Sequence, residues 1–350
     1  MISFVRVKPR FSLSWMQILT RISPSSSPEP ELPPTSATPL NPPFPESAGG
    51  VRAIATTDII TDPGLYFDKD SKILLVSFAR SGNSPESVGA VKAVEQTAGK
   101  VVHVFITCNE NGELAKMKGS NILTILLPPE TNDLSLAMTS SYSTMLLVCS
   151  MIARIDHIED DKESIDLLSE KVEAAMTRYE ARIREIAERD FSRAVFLGSG
   201  PLKGVAEESR LKLQELTDGA VMCAYDSFLG FRHGPKALVN PDSMLVYLLS
   251  SNPAIERYEL DLIRQIKSNN KVKASVIICQ EKPRLEEDAY DLCVEIGLPK
   301  SVADYYACVS YIFVGQLLGF YKSLATGLCP DSPSVSGNIS RVVEGVTLYL

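Results

Sequence analysis

Ser77-Phe78-Ala79-Arg80-Ser81-Gly82-Asn83-Ser84-Pro85-Glu86-Ser87 is the stretch on which the reading of this chain turns. It follows Lys72 to Val76, Lys-Ile-Leu-Leu-Val, a short apolar run of the kind a buried parallel strand shows. Beyond the turn, the apolar period from Val88 to Val94 predicts a helix. A strand that ends in a hydroxyl- and glycine-rich turn and opens a helix makes an anion site. Free backbone N–H groups and hydroxyls converge there on the helix's positive end. An ordinary serine N-cap would share part of this pattern, but Ser81, Ser84 and Ser87 around Gly82 exceed what capping requires. The stretch reads as a phosphate cradle.

On either side the chain alternates strands and helices. Strands are predicted at Arg52–Ala55, Ile73–Ser77, Val101–Thr107 and Ile122–Leu127, with helices over Pro85–Ala98, Gly112–Met117 and Leu136–Ala153. A charged helical stretch, Asp161 to Asp190, reads as an exposed connector. A second series follows, with strands at Ala194–Leu197, Val221–Tyr225, Ser243–Leu249, Ala274–Cys279 and Leu292–Glu295. Its helices are predicted at Pro201–Leu216, Ile255–Ser268 and Val302–Leu324. Two βα series imply an α/β fold with two mostly parallel sheets, each covered on both faces. Two further turns repeat the strand–small-residue–helix theme: Gly198-Ser199-Gly200-Pro201 and Ser250-Ser251-Asn252-Pro253. Both fall at carboxyl ends of strands, where α/β proteins bind ligands.

Composition narrows the partners. With 350 residues, 45% of them hydrophobic, the chain can bury a sizeable core. A net charge of −8 argues against nucleic acid or an anionic membrane as the main partner. Seven scattered cysteines without a Cys-x-x-Cys pair suggest reduced thiols in a cytoplasmic protein. The three histidines, His103, His157 and His233, share no cysteine or aspartate cluster, so no metal site is expected. No apolar stretch reads as a membrane span, Tyr142 to Ile152 coming closest. The first fifty residues differ in kind. Nine prolines lie between Pro24 and Pro45 among serines and threonines, a composition that reads as disordered. Arg6, Lys8, Arg10 and Arg21, with no acid before Glu29, share a feature of transit peptides.

A second constellation lies in the second series. Glu208, Lys212 and Glu215 are spaced four and three apart, roughly along one helix face. A salt-bridged solvent face is the ordinary explanation of such a triplet. Close behind it comes Asp226-Ser-Phe-Leu-Gly-Phe-Arg-His-Gly-Pro-Lys236, whose His233 lies between an arginine and Gly-Pro in an aromatic-rich loop. A histidine titrates near neutrality and can move protons on sugar oxygens.

At these residues the chain resembles the AgaS family of galactosamine-6-phosphate deaminases, often labelled tagatose-6-phosphate ketose/aldose isomerases, proteins with two sugar isomerase (SIS) domains. The matching stretches are Ala53 to Asp58, Ser77 to Ser87, Ile106 to Glu110, Ala137 to Ser141, Leu197 to Pro201, Leu211 to Thr217, Asp226 to Lys236, and Pro330 to Gly337 with Arg341-Val342-Val343. The resemblance implies flavodoxin-like sheets and five regions: an aberrant segment 1–50, a truncated SIS domain over 51–155, a helical connector 156–190, a second SIS domain over 191–325, and a tail 326–350 that contributes to the site. Family phosphate loops map onto Arg80, Ser81, Gly82, Asn83 and Ser84. Glu215 takes the place of the base that shuttles a proton between C1 and C2. His233 takes that of the ring-opening histidine, which relatives borrow from a partner subunit, and Lys212 matches a lysine beside the base. Thr139, Ser140, Ser141, Ser199, Arg232, Ser336 and Arg341 are further candidate substrate contacts. No cofactor is implied. The expected ligand is a hexosamine or hexose 6-phosphate, and the expected assembly a homodimer or larger homo-oligomer.

One block of the family pattern is displaced. Its first strand should end in Gly-Ala-Gly-Thr-Ser-Ala-Phe ahead of Arg52, where the proline-rich segment stands instead. Ile18-Leu19-Thr20 is the candidate end of that strand, and a frameshift or misassigned start is the expected cause. Three functions fit this reading: deamination of galactosamine 6-phosphate to tagatose 6-phosphate and ammonia, aldose–ketose isomerisation without ammonia, or sugar-phosphate binding without turnover in a sensor or inactive truncated copy.

Overall fold

In the computed structural model residues 16–21, 51–269, 271–342 and 345–349 are described. The first sheet comprises β1 (Met16–Arg21), β2 (Val51–Ala55), β3 (Lys72–Ala79), β4 (Lys100–Thr107) and β5 (Ile122–Leu126), in spatial order β2-β1-β3-β4-β5. The second comprises β6 (Arg193–Gly198), β7 (Met222–Asp226), β8 (Ser243–Leu248), β9 (Ala274–Cys279) and β10 (Leu292–Glu295), in order β10-β9-β8-β6-β7. Both are the flavodoxin-like arrangement, which leaves a crevice at the carboxyl ends where the strand order reverses.

The alternation along β3 shows why both faces are covered. Leu74, Val76 and Phe78 belong to one core cluster, and Ile73 and Leu75 to another. The second cluster packs against α1 (Thr56–Thr61), α2 (Pro85–Thr97) and α3 (Glu113–Lys116), through Ile59, Val88, Val91, Val94 and Leu114. The first cluster is the larger. It takes in Tyr142 and Met145 of α4 (Ser140–Ala153), Ile183 of α5 (Ile158–Ala187), Leu213 of α6 (Pro201–Leu216) and Tyr311 of α9 (Asp304–Ala325). Because it also holds Phe196 and Val246 of the second sheet, one helical layer joins the two sheets. The outer face of the second sheet is covered by α7 (Phe228–Phe231) and α8 (Pro253–Asn269).

Several expectations change. The segment 1–50 reads as disordered apart from Ile18-Leu19-Thr20, the candidate end of a strand, and Met16–Arg21 is a strand; the remainder of that segment lies outside the described residues. It runs antiparallel between β2 and β3, so the first sheet is mixed rather than wholly parallel. The physical reason is ladder satisfaction: a strand in that slot pairs backbone groups of β2 and β3 that would otherwise form open edges. The slot of the displaced family block is therefore filled, in the opposite direction. The reading that no stretch is long enough for a membrane span also fails, since α9 passes by length and composition. In this fold α9 is a core helix, most of it buried against α4, α5 and α6. The connector α5 is exposed along much of its length but buries Leu168, Ala175, Ile183 and Ile186.

Candidate active site

The turn after β3 forms as its sequence demands. Ser84 caps α2, accepting from the Ser87 amide at 3.3 Å and donating to the Ser87 hydroxyl at 2.7 Å, with Pro85 fixing the first helical turn. Gly82 has φ +65°, a left-handed conformation in which a side chain is strained. The Asn83 side chain turns aside to accept from the Glu113 amide at 2.9 Å, and Asn109 donates to the Ser81 carbonyl at 2.8 Å. The turn is thus braced from α3 and from the end of β4, while Ser81, Ser84 and Ser87 line a cavity of about 490 Å³.

Arg80 lines the same cavity, but its guanidinium is already engaged. It donates to the carbonyls of Ser135 (3.2 Å), Leu136 (3.1 Å) and Arg341 (2.7 Å). Arg341 in turn donates through Nε to the Asp133 carbonyl at 3.0 Å and through Nη2 to Asn132 Oδ1 at 3.0 Å. Two arginines thereby clasp the loop before α4 and the C-terminal tail around one opening. Burial, and then the Arg341 charge, pull Arg80 below the usual arginine value.

The opposing chemistry comes from α6. Lys212 is buried, with Glu208 Oε1 at 3.3 Å and Glu215 Oε2 at 2.6 Å. This triplet faces inward and is no solvent face. Burial alone would drag the Lys212 ammonium down; the two carboxylates outweigh it and hold it above the ordinary lysine value. Lys212 and Glu215 both line the cavity, whereas Glu208 lies behind them with none of its surface exposed. Close helix packing sets their position. Gly319 of α9 sits where an added Cβ would lie 3.1 Å from the Lys212 carbonyl.

The remaining candidates lie elsewhere. Thr139, Ser140 and Ser141 give their amides to the Asp133 carboxylate, and Thr139 and Ser141 their hydroxyls as well, forming the N-terminal cap of α4; none of them lines the cavity. That cap is why α4 starts at Ser140 and not at Leu136. Burial would raise the Asp133 carboxyl, but the hydrogen bonds from Ser141 and Thr139 prevail and hold it low. Ser199 bonds Glu259, Arg232 reaches Asp261 at 2.7 Å, and Ser336 ties the tail to Asp218. The Ser250-Ser251 turn is filled by the chain's own carboxylates, Asp304 and Glu259. Of the three anion-type turns, only the one after β3 faces this cavity.

His233 is exposed in the loop after α7 and does not line the cavity of its own chain. His103 is buried within β4 with Nε2 3.2 Å from Glu95 Oε1, and His157 adjoins Asp160. Among the described residues no group of three or more histidines, cysteines and carboxylates is placed to hold a metal ion. Lining residues not singled out from sequence include Thr56, Met138 and the tail residues Asn338 and Ser340. Thr56 and Met138 fall inside matching stretches, which was the available signal.

Known proteins resemble this architecture. An SIS domain matches residues 54–155. D-galactosamine-6-phosphate deaminase AgaS from Shewanella sp. (strain ANA-3) is 38% identical over 301 residues, 85% of this chain and 73% of the relative. The Escherichia coli protein of the same name is 36% identical over 306 residues, 85% and 77% of the two chains. Among solved structures, tagatose-6-phosphate ketose/aldose isomerase from Escherichia coli superposes with TM-score 0.76 at 33% identity, covering 85% of this chain and 77% of that one. Sequence identity at this level across both sheets, with the cradle and the Lys212–Glu215 pair on one cavity, places the chain in the AgaS family of SIS-domain proteins.

Proposed function

We propose that the chain deaminates galactosamine 6-phosphate, giving tagatose 6-phosphate and ammonia. The observation that carries this reading is the meeting, in one cavity, of a triple-serine cradle with the carboxyl group of Glu215, held by Lys212 at 2.6 Å. The cradle fixes the phosphate, and its remote binding energy orients the reacting carbons. Once the ring is open, Glu215 removes the proton from C2 and the electron pair flows to form the enolamine. The same carboxylate returns the proton to C1 while a proton passes from the amine nitrogen to O1, so that C1 becomes a hydroxymethyl carbon and C2 an imine. Water adds to the imine carbon, and ammonia leaves as the ketone forms. The relatives' printed names support the substrate.

His233 is the proposed ring-opening group. Its exposure, and its absence from its own chain's cavity, support delivery from a second copy in a homodimer or larger assembly. The five-region division proposed from the sequence stands beside this reading, with the tail 326–350 as part of the site. A second reading, isomerisation without ammonia release, is favoured by the name of the Escherichia coli structure. Ammonia release from galactosamine 6-phosphate, with glucosamine 6-phosphate as comparison, separates them. Ammonia in step with ketose supports deamination; ketose formation only from hexose 6-phosphate, without ammonia, overturns it.

A further inference from the structure

At the edge of the second sheet two thiols meet on neighbouring strands. Cys279 ends β9 and Cys293 lies in β10, the edge strand, with their Sγ atoms 3.6 Å apart. Both turn to the outer face, Cys279 within the buried cluster there and Cys293 packed against it. All seven cysteines are free thiols, and among the described residues only these two are hydrogen-bonded to each other. Cys279 is buried, whereas Cys293 is half-buried and lines a surface cavity of about 360 Å³ with Tyr179 of α5, Lys282 and Tyr290. The hydrogen bond from Cys279 holds the Cys293 thiol below its ordinary value, against the effect of burial.

The strand register decides what such a pair can hold. Cys293 stands opposite Ile277 and Cys279 opposite Glu295, so the two cysteines are diagonal, two residues out of step. A separation of about 4.8 Å across and roughly 6.6 Å along the strands puts their Cα atoms about 8 Å apart. A disulfide needs about 4.4–6.8 Å between Cα atoms, so a direct S–S bond would require the backbone to move. A shared atom suits the gap better. Bonds of about 2.3 Å to each sulfur, the length of a zinc–thiolate bond, span roughly 3.4–3.8 Å at angles from about 95° to tetrahedral. The chain supplies two such ligands and no third, since among the described residues no group of three histidines, cysteines or carboxylates is placed for a metal ion. A tetrahedral cation would find half of its shell there. Trivalent arsenic bearing one organic group is completed by two thiolates.

We propose that Cys279 and Cys293 form a dithiol site for monosubstituted trivalent arsenicals, with the arsenic atom bridging the two sulfurs. When an arsine oxide binds, two S–H bonds and the As–O double bond give way to two As–S bonds, and one water leaves. Arsenic stays trivalent and neither thiol is oxidised. The cavity beside Cys293 takes the organic group.

Phenylarsine oxide and the full chain test this by intact-mass spectrometry. The unaltered protein should gain one phenylarsenic group with loss of one water, retained through a monothiol wash and released by dimercaptopropanol. Cys293→Ser should weaken retention by roughly 10²- to 10⁴-fold, as losing one of two linked contacts does. Cys329→Ser, at the exposed thiol, should leave retention unchanged. No adduct surviving the monothiol, or one kept in full by a folded Cys293→Ser protein, overturns the site. Ready oxidation of the pair to a disulfide by diamide, seen in non-reducing peptide maps, overturns the diagonal spacing on which it stands. None of these readouts depends on sugar-phosphate turnover.

Discussion

In the proposed reaction Glu215 and the cradle serines divide the work of the site between chemistry and binding, and substitution should separate them. Glu215→Gln keeps the shape and a hydrogen-bond acceptor for Lys212 but cannot take a proton. Turnover should fall by about 10²–10⁴, the usual contribution of a positioned base, while affinity for a sugar phosphate changes little. Steady-state rates and calorimetry check the two halves. Ser81→Ala with Ser84→Ala should do the reverse, raising KM by roughly tenfold or more at nearly constant kcat, as removed charge-assisted hydrogen bonds would. At this scale much was legible in sequence. The spacing of Ser81, Gly82 and Ser84 needs only a strand before it and a helix after it, and both are local properties. The fates of Thr139, Ser140 and Ser141 were not legible, because Asp133, which takes up their amides and two of their hydroxyls, announces itself only once the loop has folded back.

Elements carry the site's precision. The contact of α6 with α9 is close because Gly315 and Gly319 lie on the facing side of α9. A Cβ at Gly319 would lie 2.8 Å from Leu216 Cδ1 and 3.1 Å from the Lys212 carbonyl. Gly319→Val must therefore push α6 outward, at about 1–3 kcal/mol for overpacking. The accompanying shift of Lys212 and Glu215 should lower kcat by up to about 10²-fold. Thermal unfolding and kinetics together check this; unchanged kcat in a folded variant would show that the helix pair is not what positions the base. On α8, which covers the second sheet, burial raises the Glu259 carboxyl to about 7. A carboxyl raised above its unfolded value of about 4.3 contributes fully below that pH, and its contribution is lost as pH rises toward 7. Glu259→Gln should thus leave the unfolding midpoint near pH 4 little changed and raise relative stability at pH 8, on the order of 1–3 kcal/mol. Denaturant melts at the two pH values decide it. The helix α6 was readable from its period, but no sequence pattern tells which two glycines of α9 will meet it.

For the whole molecule, the decisive question is where His233 acts. If a second copy supplies it, Glu215→Gln and His233→Ala proteins, each inactive or slow alone, should regain partial activity when subunits are exchanged. Each mixed pair then holds one site with both residues intact. An unfold–refold mixture assayed on the cyclic sugar measures this, with an open-chain analogue as control; absence of any recovery in demonstrably mixed oligomers places His233 outside the reaction.

Two βα series, the serine-rich turn after β3, the acid–lysine–acid helix and the family were all written in the linear chain, because local periodicity and short spacings encode them. Three things were decided only by tertiary structure. Met16–Arg21 enters the first sheet antiparallel, since strand pairing depends on which edges stand open and not on the segment's own composition. The Glu208–Lys212–Glu215 triplet becomes a buried charge group because α9 covers α6, a contact separated by about a hundred residues of sequence. Arg80 and Arg341, 261 residues apart, become neighbours only when the tail crosses back to the first domain. Spacing along a helix fixes which side chains share a face; only the packing of distant elements fixes which face is dry, and in a dry site charges act far more strongly than in water.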